Sequence, residues 1–358
     1  MINILDKKEQ CNIVGRHTWQ DQTLYLGHSA SYIEFCFKGT KLDVTLVTDL
    51  YRDTEKKEEV YHAWLAVFIN NNEEPAIRIE LCNNQETFTI FESTLEQEVS
   101  IRLMKYSEAA FSKLGFKAIS LEGELFPSPM RKPRRIEFIG DSITCGYGIE
   151  GGPNADIFTT KEENPMLAYA CQTAKLLNAE FQLVSWSGIG IITNYVDATV
   201  NEPFPDRWLM PDLYEYADGE LERSLQKSTY EVWDNKRYDP DLVVIYLGTN
   251  DASYTRGIKE RQEYFANEYR KFLDQVRAKN KDSYILCVLG SMNQELCEIE
   301  ERMVSSKQAD GDNKIKFVAL PLQREEDGLG AHGHPTPITH FKVAEQIALV
   351  VKEWLDWN

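Results

Sequence analysis

With 358 residues, 42% of them hydrophobic and 27% charged, the chain carries apolar material for more than one buried core and is neither a disordered nor a fibrous sequence. A formal net charge of -18 repels phosphate backbones and anionic membrane surfaces, which argues against nucleic-acid and membrane partners and favours a neutral or cationic small molecule. The seven cysteines form no CxxC pair, and the opening Met1-Ile2-Asn3-Ile4-Leu5-Asp6-Lys7-Lys8 lacks the basic start and apolar run of a secretion signal; both features predict reduced, buried thiols and a cytoplasmic location.

From about Thr23 to Phe126 apolar residues alternate with polar ones, as in Tyr32-Ile33-Glu34-Phe35-Cys36-Phe37 and Lys41-Leu42-Asp43-Val44-Thr45-Leu46-Val47, which is the two-residue period of half-buried strands. Further strands are predicted at 64–69, 77–81, 87–91, 99–105 and 118–125, with turns at Gly39, Asn70-Asn71-Asn72 and Asn83-Asn84. Many short strands without long helices predict an all-β sandwich of jelly-roll type over residues 1–126. Pro127, Pro129 and Pro133 then remove amide donors and restrict the residues before them, so 127–133 is read as a linker. The basic run Arg131-Lys132-Pro133-Arg134-Arg135 flanks the next strand rather than gripping nucleic acid.

Over 134–358 the period changes. Continuous apolar strands at 136–139, 181–186, 242–247, 284–289 and 315–320 alternate with helical patterns at 167–177, 263–278, 295–308 and 338–354. Such alternation demands right-handed crossovers and a parallel sheet covered by helices on both faces, a three-layer, flavodoxin-like α/β domain. Ligands of open parallel sheets bind beyond the carboxyl ends of the strands. The first strand runs straight into Gly140-Asp141-Ser142-Ile143-Thr144-Cys145-Gly146-Tyr147-Gly148, placing the Ser142 hydroxyl at that edge. Taken alone, Asp141 or Ser142 reads equally well as a helix cap. The second strand ends Ser187-Gly188 and the third Leu247-Gly248-Thr249-Asn250-Asp251, so the Gly188 amide and the Asn250 carboxamide can face the same point as oxyanion donors, although each also suits a simple turn. Before the last helix stands Gly330-Ala331-His332-Gly333-His334-Pro335-Thr336-Pro337, whose histidines can supply a base. Thr336 as N-cap and Pro337 as first helical residue would fix that helix start.

Gly-Asp-Ser, the glycine of Ser187-Gly188, Gly-Thr-Asn-Asp and a late His-Pro, in that order, resemble the four blocks of the SGNH (GDSL-type) serine hydrolases. With a β-sandwich in front, the whole chain resembles the two-domain acetyl esterases of carbohydrate esterase family two, the acetylxylan esterase type. The resemblance implies Ser142 as nucleophile, the Ser142 and Gly188 amides with the Asn250 side chain as oxyanion hole, and His334 as general base. His332 competes for the base, and the proline after His334 favours the latter; His340 reads as a packing residue. Related enzymes place an aspartate two or three residues before the histidine, where this chain has His332 and Ala331. A Ser-His dyad is expected, its imidazole held by a backbone carbonyl, with Asp327 as a weaker candidate partner.

The implied reaction is hydrolysis of an acetyl ester on a sugar hydroxyl of plant-type oligo- or polysaccharides, through an acyl-enzyme and with no cofactor or metal. Insertions at 150–164 and 201–211 are expected to overhang the sheet edge, and Trp208, Tyr214 and Trp233 are the candidate sugar platforms, or else pack the insertion onto the body. Two rival readings are an SGNH lipase, thioesterase or esterase for another acyl group, and a carbohydrate-binding protein on an inactive hydrolase fold. The oligomeric state has no sequence signature here.

Overall fold

The computed structural model describes residues 2–48, 61–127, 130–152, 158–203, 207–224 and 228–357. Residues 128–129 of the expected linker, 153–157 of the first insertion and 204–206 of the second lie outside them. The chain divides into two compact units: Met1–Arg131 with Ile157–Glu163 and Ala217–Glu231, and Lys132–Asp156 with Asn164–Tyr216 and Val232–Asn358.

Among the described residues the first unit is an antiparallel β-sandwich of nine strands: Ile2–Asn3 (β1), Asn12–Val14 (β2), His17–Gln20 (β3), Thr23–Leu26 (β4), Tyr32–Val47 (β5), Ala63–Ile69 (β6), Ile77–Leu81 (β7), Gln85–Lys105 (β8) and Leu114–Phe126 (β9). They pair in the order β3-β4-β9-β5-β8-β6-β7, with β1 added to β9 and β2 to β5. Alternate residues such as Ile33, Phe35, Phe37, Leu42, Val44 and Leu46 face one apolar core, and each such side chain contributes about 1.5–3 kcal/mol by leaving water. Gly39 is not the turn its sequence context suggests. It lies inside the long β5, where a Cβ would sit 2.3 Å from the Glu122 carbonyl oxygen of β9, so only glycine admits the close strand approach at this bulge. Likewise 87–91 and 99–105 belong to the single strand β8. Asn70 and Asn71, both at positive φ, do form the turn after β6. From the later part of the sequence, Thr160 anchors its segment on this unit by donating to the His62 carbonyl, and the short helix Gly219–Ser224 belongs here as well.

In the second unit, Arg134–Gly140 (β10), Ala179–Ser185 (β11), Leu242–Tyr246 (β12), Tyr284–Ser291 (β13) and Ile315–Leu322 (β14) form a wholly parallel sheet in the order β11-β10-β12-β13-β14. Every residue of the central β12 is fully buried, as expected for a strand covered on both faces. The principal helices are Ser142–Cys145 (α1), Tyr169–Leu176 (α2), Thr249–Thr255 (α3), Lys259–Lys279 (α4), Cys297–Ala309 (α5) and Pro337–Leu355 (α6). The strand order reverses at β10, so the carboxyl end of β10 is the topological switch point where such sheets bind ligands. Among the described residues, no helix is long and apolar enough to cross a membrane.

Candidate active site

At that switch point β10 ends in Gly140 and α1 begins at Ser142. A Cβ on Gly140 would lie 2.0 Å from the Thr144 hydroxyl, so the tight exit from the strand requires glycine. Asp141 is buried and caps α1 by accepting the Ile143 amide at 3.0 Å. Its other carboxylate oxygen accepts from the Asn250 side chain at 3.1 Å, which ties the first block of sequence to the third. Asp141 thus caps the helix and leaves Ser142 free to present its hydroxyl at the strand end.

Ser142 is 7% exposed, and its Oγ lies 2.9 Å from His334 Nε2. The other ring nitrogen, Nδ1, is 3.0 Å from the Ala331 carbonyl oxygen. A carbonyl only accepts, so Nδ1 carries the proton and Nε2 presents a lone pair to the serine. The loop bearing His334 is docked on the loop that follows Ser142: the Ala331 amide donates to the Gly148 carbonyl at 3.1 Å, and a Cβ on Gly148 would meet the Ala331 methyl at 2.7 Å. Any side chain longer than alanine at 331 would press on this contact. Burial lowers the His334 pKa to about 4, against the opposing pull of the Ala331 carbonyl; His332 adds repulsion. The Tyr147 ring lies 4.6 Å from that of His334.

The remaining histidines and Asp327 stand elsewhere. His332, at φ +52°, is exposed and its Nδ1 meets the Tyr147 hydroxyl at 3.0 Å. His340 is buried in α6, accepts the Tyr169 amide at 3.1 Å, and has its pKa lowered by burial to about 3. Asp327 holds Lys342 with both oxygens at 2.7 Å; Thr336 is the N-cap residue of α6 and Pro337 its first residue, as expected, but the Thr336 hydroxyl donates to the Asp327 carbonyl instead of accepting a helix amide.

Gly188 has φ +78°, and nothing but the Tyr195 Cβ approaches where its own Cβ would be. Among the described residues, neither the Ser142 nor the Gly188 amide donates to another protein group. Asn250 differs: its two amide hydrogens go to Asp141 and to the Ile189 carbonyl, the latter at 2.8 Å, so the carboxamide must share a donor to serve a developing oxyanion. Asp251, the last residue of the Gly-Thr-Asn-Asp block, carries a role that the sequence pattern does not assign. Fully buried, it accepts the Ile191 and Ile192 amides at 2.9 and 2.8 Å and thereby pins the loop that follows Gly188; burial raises its pKa to about 6. Its place directly after Asn250 was the available signal.

Two of the three expected sugar platforms are interior. Tyr214 is fully buried, donating to Glu137 at 2.6 Å and accepting from Asn280 at 2.8 Å, because a phenol inside a domain needs hydrogen-bond partners. Trp233 is 3% exposed beneath the Arg237 guanidinium, 4.3 Å from its ring centroid. Only Trp208, half-buried edge-on to Tyr216, keeps surface to offer. Among the described residues, no metal-ligand cluster includes Ser142 or His334.

The GDSL-like lipase/acylhydrolase family matches residues 138–340, the span that holds the Ser142-His334 contact at the switch point of the sheet, so the chain is an ester hydrolase of the GDSL class. The N-terminal domain of carbohydrate esterase 2 matches residues 13–129. The cellulase/esterase CelE of Acetivibrio thermocellus is 32% identical over 335 residues, 92% of this chain; the chain spans 37% of that protein's length. A family two carbohydrate esterase from Clostridium thermocellum, solved in complex with cellohexaose, is 31% identical with a TM-score of 0.82, over 97% of this chain and 100% of that one. An acetyl xylan esterase from the rumen bacterium Butyrivibrio proteoclasticus is 26% identical with a TM-score of 0.86, over 100% of this chain and 99% of that one. The chain belongs to carbohydrate esterase family two.

Proposed function

We propose that the chain is a carbohydrate O-acetyl esterase of the acetylxylan esterase type, working through a Ser142-His334 dyad. The single observation that carries the mechanism is the chain of contacts from Ser142 Oγ through the His334 ring to the Ala331 carbonyl, at 2.9 and 3.0 Å. Ser142 Oγ attacks the acetyl carbonyl and passes its proton to His334 Nε2. The imidazolium then protonates the departing sugar oxygen as the carbon-oxygen bond breaks, leaving acetyl-Ser142. Water, deprotonated by the same nitrogen, attacks the acetyl carbonyl; as the bond to Ser142 Oγ breaks, the imidazolium returns its proton to the serine and acetate is released. The unengaged Ser142 and Gly188 amides, joined by Asn250, are suited to the oxyanion that forms twice per cycle. Trp208 is the aromatic left to meet a sugar ring. The relatives' names supply the sugar: a cellulase/esterase, a complex with cellohexaose and an acetyl xylan esterase.

Acetate release from p-nitrophenyl acetate and from acetylated xylo-oligosaccharides, compared with Ser142→Ala, tests the reading. Activity on both substrates that falls about a thousandfold or more in the variant is expected. Activity confined to the small ester would keep the chemistry and remove the sugar, and an inactive wild type would end the esterase assignment.

A further inference from the structure

The edge of the β-sandwich carries a second group of reactive side chains. β7 is the last strand of the pairing order, and its partner β6 runs antiparallel with Ala63 opposite Leu81. His62 immediately precedes β6 and Cys82 immediately follows β7, with Glu80 two residues before the cysteine. The two-residue pleat turns Ala63, Leu65, Ile79 and Leu81 into the core and therefore His62, Glu80 and Cys82 together onto the outer face. The side chains converge: His62 Nδ1 lies 2.9 Å from Glu80 Oε1 and 4.0 Å from Cys82 Sγ, and all three ligand atoms are within 4.8 Å of one another.

We propose that His62, Glu80 and Cys82 form a binding site for a zinc-like divalent cation that clips the edge hairpin of the sandwich. Imidazole, thiolate and carboxylate make a mixed set for a borderline-soft ion, and three protein ligands leave a fourth tetrahedral position for water. Ordinary zinc bond lengths at tetrahedral angles put nitrogen and oxygen about 3.4 Å apart and nitrogen and sulfur about 3.6 Å apart. These two separations lie about half an ångström from that, within the swing of a side-chain torsion: the shorter is the His62–Glu80 hydrogen bond, which the ion would replace, and the longer is the reach to the thiol. The backbone is already fixed on both sides of the site, by the β6–β7 ladder and by Thr160, whose hydroxyl donates to the His62 carbonyl at 2.7 Å. Of the seven cysteines, Cys82 is the exposed one. Loading forms the sulfur-metal bond and releases the thiol proton to solvent. A net charge of -18 favours the approach of a cation. Sequence spacing hides this site because its ligands come from two strands and no two of them make a ligand-type motif.

The experiment is a cobalt(II) titration of the full chain, followed in the near ultraviolet for the thiolate-to-cobalt band and then displaced with zinc. One equivalent should raise the band and zinc should abolish it. Cys82→Ser should remove it, while His62→Ala should weaken binding by more than the roughly 10- to 100-fold that an outer-shell partner contributes. All of these positions are partly or fully exposed, so the variants should stay folded, as far-ultraviolet circular dichroism will show. Absence of the band in the wild type, its persistence in Cys82→Ser, or indifference to His62→Ala would each overturn the proposal.

Discussion

Acidification is the perturbation that most directly probes the dyad. A histidine beside a carboxylate is stabilised as imidazolium, whereas His334 meets the Ala331 carbonyl, the Ser142 hydroxyl and the Tyr147 ring, with His332 as its charged neighbour and no carboxylate among the causes of its shift, and burial takes its pKa to about 4 from an ordinary 6.5. At pH 5.5 a base with the lower value is about 97% neutral and one with the ordinary value about 9%, so the retained activity differs about tenfold. The assay is kcat/KM for acetate release from p-nitrophenyl acetate between pH 3.5 and 8, because this ratio reports the free enzyme's ionisations and the ester does not titrate. The acid limb should fall near pH 4 to 5, with activity recovered on return to pH 7 to exclude unfolding. Tyr147→Ala, which uncovers the imidazole to water, should move the limb upwards towards 6.5. A wild-type limb between pH 6 and 7 would refute the assignment of an unassisted, desolvated base.

Further expectations concern the neighbours. His334→Ala should abolish turnover while His332→Ala and Asp327→Ala stay within a few-fold of wild type, since His332 faces Tyr147 and Asp327 faces Lys342; steady-state rates on the small ester decide this. Asn250→Ala should lower kcat about a hundred- to a thousandfold and also lower Tm, because Asp141 and the Ile189 carbonyl lose a donor; near-normal turnover would remove it from the oxyanion hole. His340→Leu should cost about 1–3 kcal/mol at pH 7 by stranding the Tyr169 amide, read as a fall in Tm. The same substitution should flatten the acid dependence of stability. A histidine kept neutral in the fold, with its pKa depressed to about 3, gives stability that is complete above pH 6.5 and lost as pH falls from there towards the folded value.

The hydrolase half was legible because its two periods and its chemistry coincide: each of the first three blocks sits where a continuous apolar run stops, and strand ends are visible in sequence. The sandwich was legible as alternation, but not its strand lengths, since Gly39 at a bulge has the same local appearance as Gly39 at a turn. Tyr214 and Trp233 misled for a related reason. An aromatic with a polar handle serves a buried network as well as a wet surface, and only the positions of Glu137, Asn280 and Arg237 distinguish the two. The double duty of Asp141, and the amide clamp of Asp251, depend on partners 109 and about 60 positions away in the chain and so leave no local trace.

The Ala331 carbonyl has a consequence for how this enzyme can change. Because the group orienting His334 is a peptide oxygen, it carries no charge, does not titrate, and is supplied by whatever amino acid the gene encodes at that place. Scanning by substitution will find two indispensable side chains where the geometry has three participants. Selection can therefore retune the third only indirectly, by bending the loop on which it lies, and the contact between Ala331 and Gly148 is the point at which such bending is resisted.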